Sequence, residues 1–144
     1  MKPTLKIGGR IIPLYYSTFE LIAIEKELKC TGFQIKDKVM GIRQIDEEDP
    51  SKVEFGILED PEMQEKLGVL IAILGNAGLE EEGQKPDLTA RWVLKHMKPG
   101  MVLVYAMAIS TLISEGNTMT VQEEDKGPVD VKLEEENAKK QPGD

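Results

Sequence analysis

The sequence predicts a mainly α-helical domain of about five helices, preceded by a short β-hairpin and followed by an acidic tail. Three observations predict it. Residues 60–116 carry three helix-start signals in succession, Asp60-Pro61, Thr89 and Lys98-Pro99, with apolar residues at helical spacing after each. Gly8-Gly9 separates two short apolar runs near the N-terminus. After Gly116 the chain becomes acidic, poor in aromatics and interrupted by Pro128 and Pro142. Residues 1–116 are therefore expected to form one helical domain with its hairpin, and residues 117–144 a flexible acidic tail.

The hairpin comes first. Leu5-Lys6-Ile7 and Arg10-Ile11-Ile12-Pro13-Leu14-Tyr15 flank two glycines that can take the positive φ of a type I′ turn. Pro13 lacks an N–H, so its strand must be an edge or bend there. A phosphate-binding reading of Gly8-Gly9 fails, because neither a Lys-Ser/Thr pair nor a helix start follows. Ser17-Thr18-Phe19-Glu20 then has the capping-box pattern, with Tyr16 and Leu21 placed for a hydrophobic staple. Leu21, Ile24 and Leu28 recur at helical spacing toward Thr31-Gly32. A second helix is expected over residues 33–43, with Phe33, Lys36, Met40 and Arg43 on one side and Ile35, Val39 and Ile42 on another. Residues 46–51 are a loop by composition: Pro50 disfavours helix at Asp49, and the acids repel one another.

Asp60 caps a helix with Pro61 at its first position, where the missing N–H costs nothing. Met63, Leu67, Leu70, Ile71 and Leu74 share a face that Val69 and Ile73 widen, which predicts a central helix. Each glycine weakens a helix interior by about 1 kcal/mol relative to alanine, so Gly68, Gly75 and Gly78 predict close approach of another backbone or, for Gly78, a C-terminal stop. Residues 79–86 are expected as a polar connection. Thr89 caps a short helix with Trp92, Val93 and Met97 inward. The last helix runs from Pro99 to about Ser114, carries Val102, Tyr105, Ala106, Ile109, Leu112 and Ile113, and closes at Gly116.

Composition narrows the function classes. With 26 acids against 18 bases and no basic stripe, the counterion-release term of phosphate binding is missing, and no nucleic-acid partner is expected. Residues 116–144 hold eight acids and four lysines, a net −4 that is half of the chain's −8. Such a segment reads as solubilising. No apolar run of signal-peptide length opens the chain, and the windows 69–74 and 101–113 fall short of the roughly 20 residues of a membrane helix, so they are expected as buried helices and no membrane contact is expected. Cys30 stands alone, which excludes an internal disulfide and fits a reducing cytoplasm.

Candidate chemistry is sparse. His96 is the only histidine and cannot be half of a two-histidine metal site; late in a short helix, it suits the helix dipole. Cys30 at a helix end is either an inert buried thiol or half of a Cys30–His96 dyad. The carboxylates cluster in loops and tail, where solvation keeps them ionised. Met63, Met97, Met101 and Met107 read as packed gap-fillers, with a ligand groove as the other reading. Trp92 either locks its short helix onto its neighbours or anchors a partner. No catalytic, cofactor or metal residue is expected, and the protein-binding residues are of the same types that build the core.

The order of parts carries a resemblance. A hairpin written Leu5-Lys6-Ile7-Gly8-Gly9-Arg10 to Tyr16, a capped helix from Phe19-Glu20-Leu21 to Leu28, an apolar helix ending at Gly78, then Pro86-Asp87-Leu88-Thr89, a short helix and a final helix from Pro99 together resemble the tail assembly chaperones of long-tailed, non-contractile bacteriophages and their prophages. The match covers about residues 5–116, with Asp87-Leu88-Thr89 the most recognisable signature. The acidic stretch at residues 46–54 and the glutamates Glu80-Glu81-Glu82 depart from it. The resemblance implies a non-enzymatic protein in the host bacterial cytoplasm. It would hold the aggregation-prone tape-measure protein soluble while tail tube subunits polymerise, and would self-associate weakly. It also implies a longer product made by ribosomal frameshift, for which Lys139-Lys140 mark a candidate slippery run. The alternatives are a regulatory or adaptor module that binds another protein, and a Cys30-dependent enzyme.

Overall fold

A computed structural model describes residues 3–118 of the chain. Five α-helices and two β-hairpins pack around one core, the N-terminal hairpin leading as the sequence predicts. The expected tail lies outside the described residues except for Asn117 and Thr118.

Strands β1 (Thr4–Ile7) and β2 (Arg10–Pro13) pair antiparallel with Ile7 opposite Arg10. Gly8 and Gly9 both take positive φ, 59° and 79°, as a type I′ turn requires. Pro13 needs no ladder bond because a two-stranded sheet has only edges. The pleat turns Leu5, Ile7 and Ile12 into the core. Helix α1 (Thr18–Leu28) begins at the capping box, the Ser17 N–H donating to Glu20 Oε1 at 2.9 Å. Ile24 and Leu28 are buried, and Lys29 ends the helix in the left-handed region at φ 60°.

The expected helix over residues 33–43 is only partly present. A 3₁₀ turn (Gly32–Gln34) leads into a short α2 (Ile35–Lys38), which buries Ile35, and Val39 and Met40 are buried directly after it. Gly41 at φ 64° then turns the chain, and Ile42 and Arg43 enter strand β3 (Ile42–Gln44), paired with β4 (Val53–Phe55). The acidic loop at residues 46–51 joins these strands, and Arg43 reaches across to Glu54 at 2.8 Å.

Helix α3 (Pro61–Glu81) is central, capped by Asp60 and burying Leu67, Leu70, Ile71, Leu74 and Leu79. Each such side chain contributes roughly 1.5–3 kcal/mol when fully buried. Gly78 does not stop this helix. A Cβ there would collide with the Pro13 carbonyl, so β2 crosses α3 backbone to backbone, and the Tyr15 N–H donates to Leu74 O at 3.1 Å beside the crossing. Gly68 and Gly75 differ from the expected backbone approach: they make room for side chains, Leu94 at Gly68 and Leu88 and Ile12 at Gly75. The helix therefore runs three residues past Gly78, and the expected polar connection shrinks by those residues.

Helix α4 (Ala90–His96) is capped by Thr89, whose Oγ1 accepts from the Trp92 N–H at 3.0 Å. A 3₁₀ turn (Pro99–Met101) leads into α5 (Val102–Asn117). Gly116 lies inside α5 rather than closing it: its missing side chain makes room for the Tyr16 ring. Tyr16 OH donates to Asn117 Oδ1 at 2.6 Å, and Asn117 Nδ2 donates to the Gly32 carbonyl at 3.2 Å. That clamp carries the helix past its expected end.

Candidate protein-binding surface

The signature Asp87-Leu88-Thr89 is a joint of the fold. Asp87 pairs with Arg10 at 2.9 Å, and this hydrogen bond to the guanidinium holds its carboxyl below the usual aspartate range. Leu88 is buried, and Asn76 of α3 accepts from its N–H at 2.9 Å and donates to its carbonyl at 3.0 Å. Thr89 caps α4. Arg10 lies 5.7 Å over the Trp92 ring, and Trp92 stacks on His96 with centroids 4.4 Å apart. Gly8 sits directly against the His96 ring. Trp92 thus ties the hairpin to α4, and His96 is an exposed residue at the end of its helix, as the sequence predicts.

Cys30 and His96 occupy separate neighbourhoods. Burial pushes the Cys30 thiol up, against the pull of Lys66 and Lys38, whereas His96 meets Trp92 and the hairpin turn. The dyad does not form. Glu20, the one buried charged side chain among the described residues, is committed to the capping box. No cluster of three or more metal-ligating side chains occurs among the described residues.

Exposed apolar side chains are spread over the described residues, Phe19 and Ile22 on α1 and Phe33 before α2 among them, and three of them, Met101, Val104 and Met107, fall on α5 and its leading turn. From Pro99 to Ser114 the sequence carries no charged residue. One face of the helix, Val102, Tyr105, Ala106, Ile109 and Ile113, is buried, with Tyr105 OH donating to the Lys6 carbonyl at 2.6 Å. The other face is open: Val104 is 54% exposed and Met107 43%. Two expectations are corrected here. The helix is only half buried, and Met101 and Met107 face solvent rather than filling gaps. With its leading turn it spans 19 residues, long and apolar enough to cross a membrane by length and composition, although its inner face belongs to the core.

A groove of about 260 Å³ lies at the N-terminal end of α5, lined by Leu58, Gln64, Leu94, Met97, Pro99 and Val102. Another, of about 210 Å³, lies at the C-terminal end and includes Phe33, Ile35, Ser110 and Ile113. A third, about 290 Å³, adjoins it across Asn117 beside Tyr16 and Leu21. Lys36 is the one charged side chain lining these three. Such walls can exclude water from an apolar side chain, but they aim no pair of ionisable groups at a common point. The chain matches no family model, no curated protein and no solved structure. Sequence reasoning located α5 but missed its open face, because helical periodicity marks the buried stripe while the opposite stripe is equally apolar. The missing charge across residues 99–114 was the available signal.

Proposed function

We propose that the protein is a non-enzymatic phage-type tail assembly chaperone, which covers apolar segments of the tape-measure protein with α5 and keeps them soluble during tail tube assembly. One observation carries the reading. A solvent-facing helix normally bears charge on its outer side, and this one bears none over four turns while Met101, Val104 and Met107 stay open. Methionines on such a face adapt to varied apolar partners, which suits a client that is long and helical. The net charge of −8 keeps a carrier with an apolar face dispersed. The resemblance in the order of parts supplies the class of client.

Co-expression with a cognate tape-measure fragment tests the proposal. The wild-type chain should hold the fragment in the soluble fraction, and Val104→Glu should lose that ability while keeping its own thermal midpoint. A fragment equally insoluble with and without the wild-type chain would return the protein to the adaptor reading.

A further inference from the structure

Charge is segregated on this chain. Residues 3–16 and 86–114 hold five cations, Lys6, Arg10, Arg91, Lys95 and Lys98, and a single acid, Asp87. The fold brings these segments together. Arg10 lies over Trp92, Gly8 sits against the His96 ring, and Tyr105 OH donates to the Lys6 carbonyl, so the first hairpin, α4 and the start of α5 make one basic face. In sequence the face is invisible, since 81 positions separate Arg10 from Arg91.

Asp87 is occupied by Arg10. Lys6, Arg91, Lys95 and Lys98 are exposed and make no ion pair with any described residue. Glu62 and Glu65 of α3 flank Gln64, which shares a groove with Leu94, and they too leave these four cations unpaired. Arg91 and Lys95 stand one turn apart on α4. The helix dipole accounts for Lys95 in the last turn but opposes Arg91 in the first. Such a face suits carboxylates, which accept charge-assisted hydrogen bonds from both ammonium and guanidinium groups.

The chain carries carboxylates of its own. Residues 119–144 contain eight acids and four lysines, with six of the acids in two runs, Glu123-Glu124-Asp125 and Glu134-Glu135-Glu136. Reach separates the runs. With its leading 3₁₀ turn, α5 sets Thr118 roughly 30 Å from Lys98, at about 1.5 Å per α-helical and 2.0 Å per 3₁₀ residue. At no more than about 3.6 Å per residue, the first run ends within roughly 25 Å of Thr118 and falls short of the Lys98 backbone, whereas the second can lie up to about 58 Å away. Around the second run, residues 130–138 hold four acids against Lys132 alone. A tethered segment is presented at an effective concentration of about millimolar, ahead of free acidic peptides, and a polynucleotide would have to approach against the net charge of −8.

We propose that Glu134-Glu135-Glu136 of the same chain lies across α4, its carboxylates on Arg91, Lys95 and Lys98, and keeps this face closed to other polyanions. The inference concerns α4 rather than the open side of α5, and stands whether or not the tape-measure protein is the client.

Carbodiimide coupling of the full chain, with peptide mapping of the monomeric product, tests it. At low ionic strength an amide bond should join Lys95 or Lys98 to one of Glu134, Glu135 and Glu136, with a yield independent of dilution. At 1 M NaCl, where screening acts within about 3 Å, the yield should fall fivefold or more. Changing Glu134, Glu135 and Glu136 together to Gln should shift the Arg91 and Lys95 amide resonances and tighten binding of poly-L-glutamate severalfold. Glu123→Gln with Glu124→Gln and Asp125→Asn removes the same charge and should do neither. Arg91→Glu with Lys95→Glu should lower coupling at Lys98 fivefold or more while the thermal midpoint holds, because both side chains are exposed and unpaired. Absence of the Lys–Glu product would overturn the proposal, as would a yield that falls on dilution, which places the contact between copies. Equal effects of the two triple variants would reduce it to net charge and overturn it too. So would poly-L-glutamate or an oligonucleotide binding equally to wild type and to the Glu134–Glu136 variant, since the face would then belong to an outside partner.

Discussion

Asn76 makes both of its hydrogen bonds to the backbone of Leu88, so one side chain joins α3 to the start of α4. Asn76→Ala should leave a buried N–H and carbonyl unpaired and cost about 1–3 kcal/mol in urea unfolding. Asp87 belongs to the same joint. Its carboxyl is held below the usual aspartate range by Arg10, so in the unfolded chain it binds its proton at higher pH. The stabilisation is then present above the unfolded pKa and disappears as pH falls through the folded one. Asp87→Asn should lose a small stabilisation at neutral pH, small because the pair is exposed, and the two stability curves should converge as pH falls through the folded pKa. At Cys30, burial raises the thiol pKa, so a disulfide reagent should react slowly with native protein and fast in denaturant. The caps at Ser17, Asp60 and Thr89 were legible because each depends on a side chain and a backbone N–H two or three residues away. The Arg10–Asp87 and Tyr16–Asn117 bonds were not, since their partners are separated by 77 and 101 positions.

Elements show the same division between local and distant causes. Helices α1, α3 and α4 start where their cap residues stand, whereas α5 starts at Val102, three residues after Pro99, because a 3₁₀ turn takes up the expected first turn. The ends of α3 and α5 lie past the expected ones because Gly78 and Gly116 look like stops, yet each is small to admit another element. Gly78→Ala should therefore destabilise the fold by about 3 kcal/mol or more, since the obstacle is the Pro13 backbone and not a movable side chain. Gly100→Ala, with nothing within 4 Å and no positive φ, is the matched control and should be neutral or stabilising by up to about 1 kcal/mol in thermal unfolding. The second hairpin escaped the sequence because its strands are three residues each, too short to display alternation. Ile42 also continues the helical spacing of Ile35 and Val39, and only Gly41, crowded by Gly56 and Met63, marks the break.

The whole molecule joins one core, to which hairpins and helices both contribute, to a helix, α5, whose outer face carries no charge from residue 102 to residue 114 and leaves Val104 and Met107 exposed. Its fold class was legible because composition and capping act locally. The surface it offers was not, because an apolar residue in a sequence does not say whether its own chain or another will cover it. Methionine oxidation measures that cover directly, since a thioether reacts with peroxide according to its exposure. In the dilute free chain, Met101 and Met107 should oxidise well ahead of the buried Met40 and Met97. Adding the tape-measure fragment should slow Met101 and Met107 severalfold and leave the others unchanged. Equal rates at Met101 and Met107 with and without the fragment would contradict the claim that the open face of α5 is where this protein holds its client.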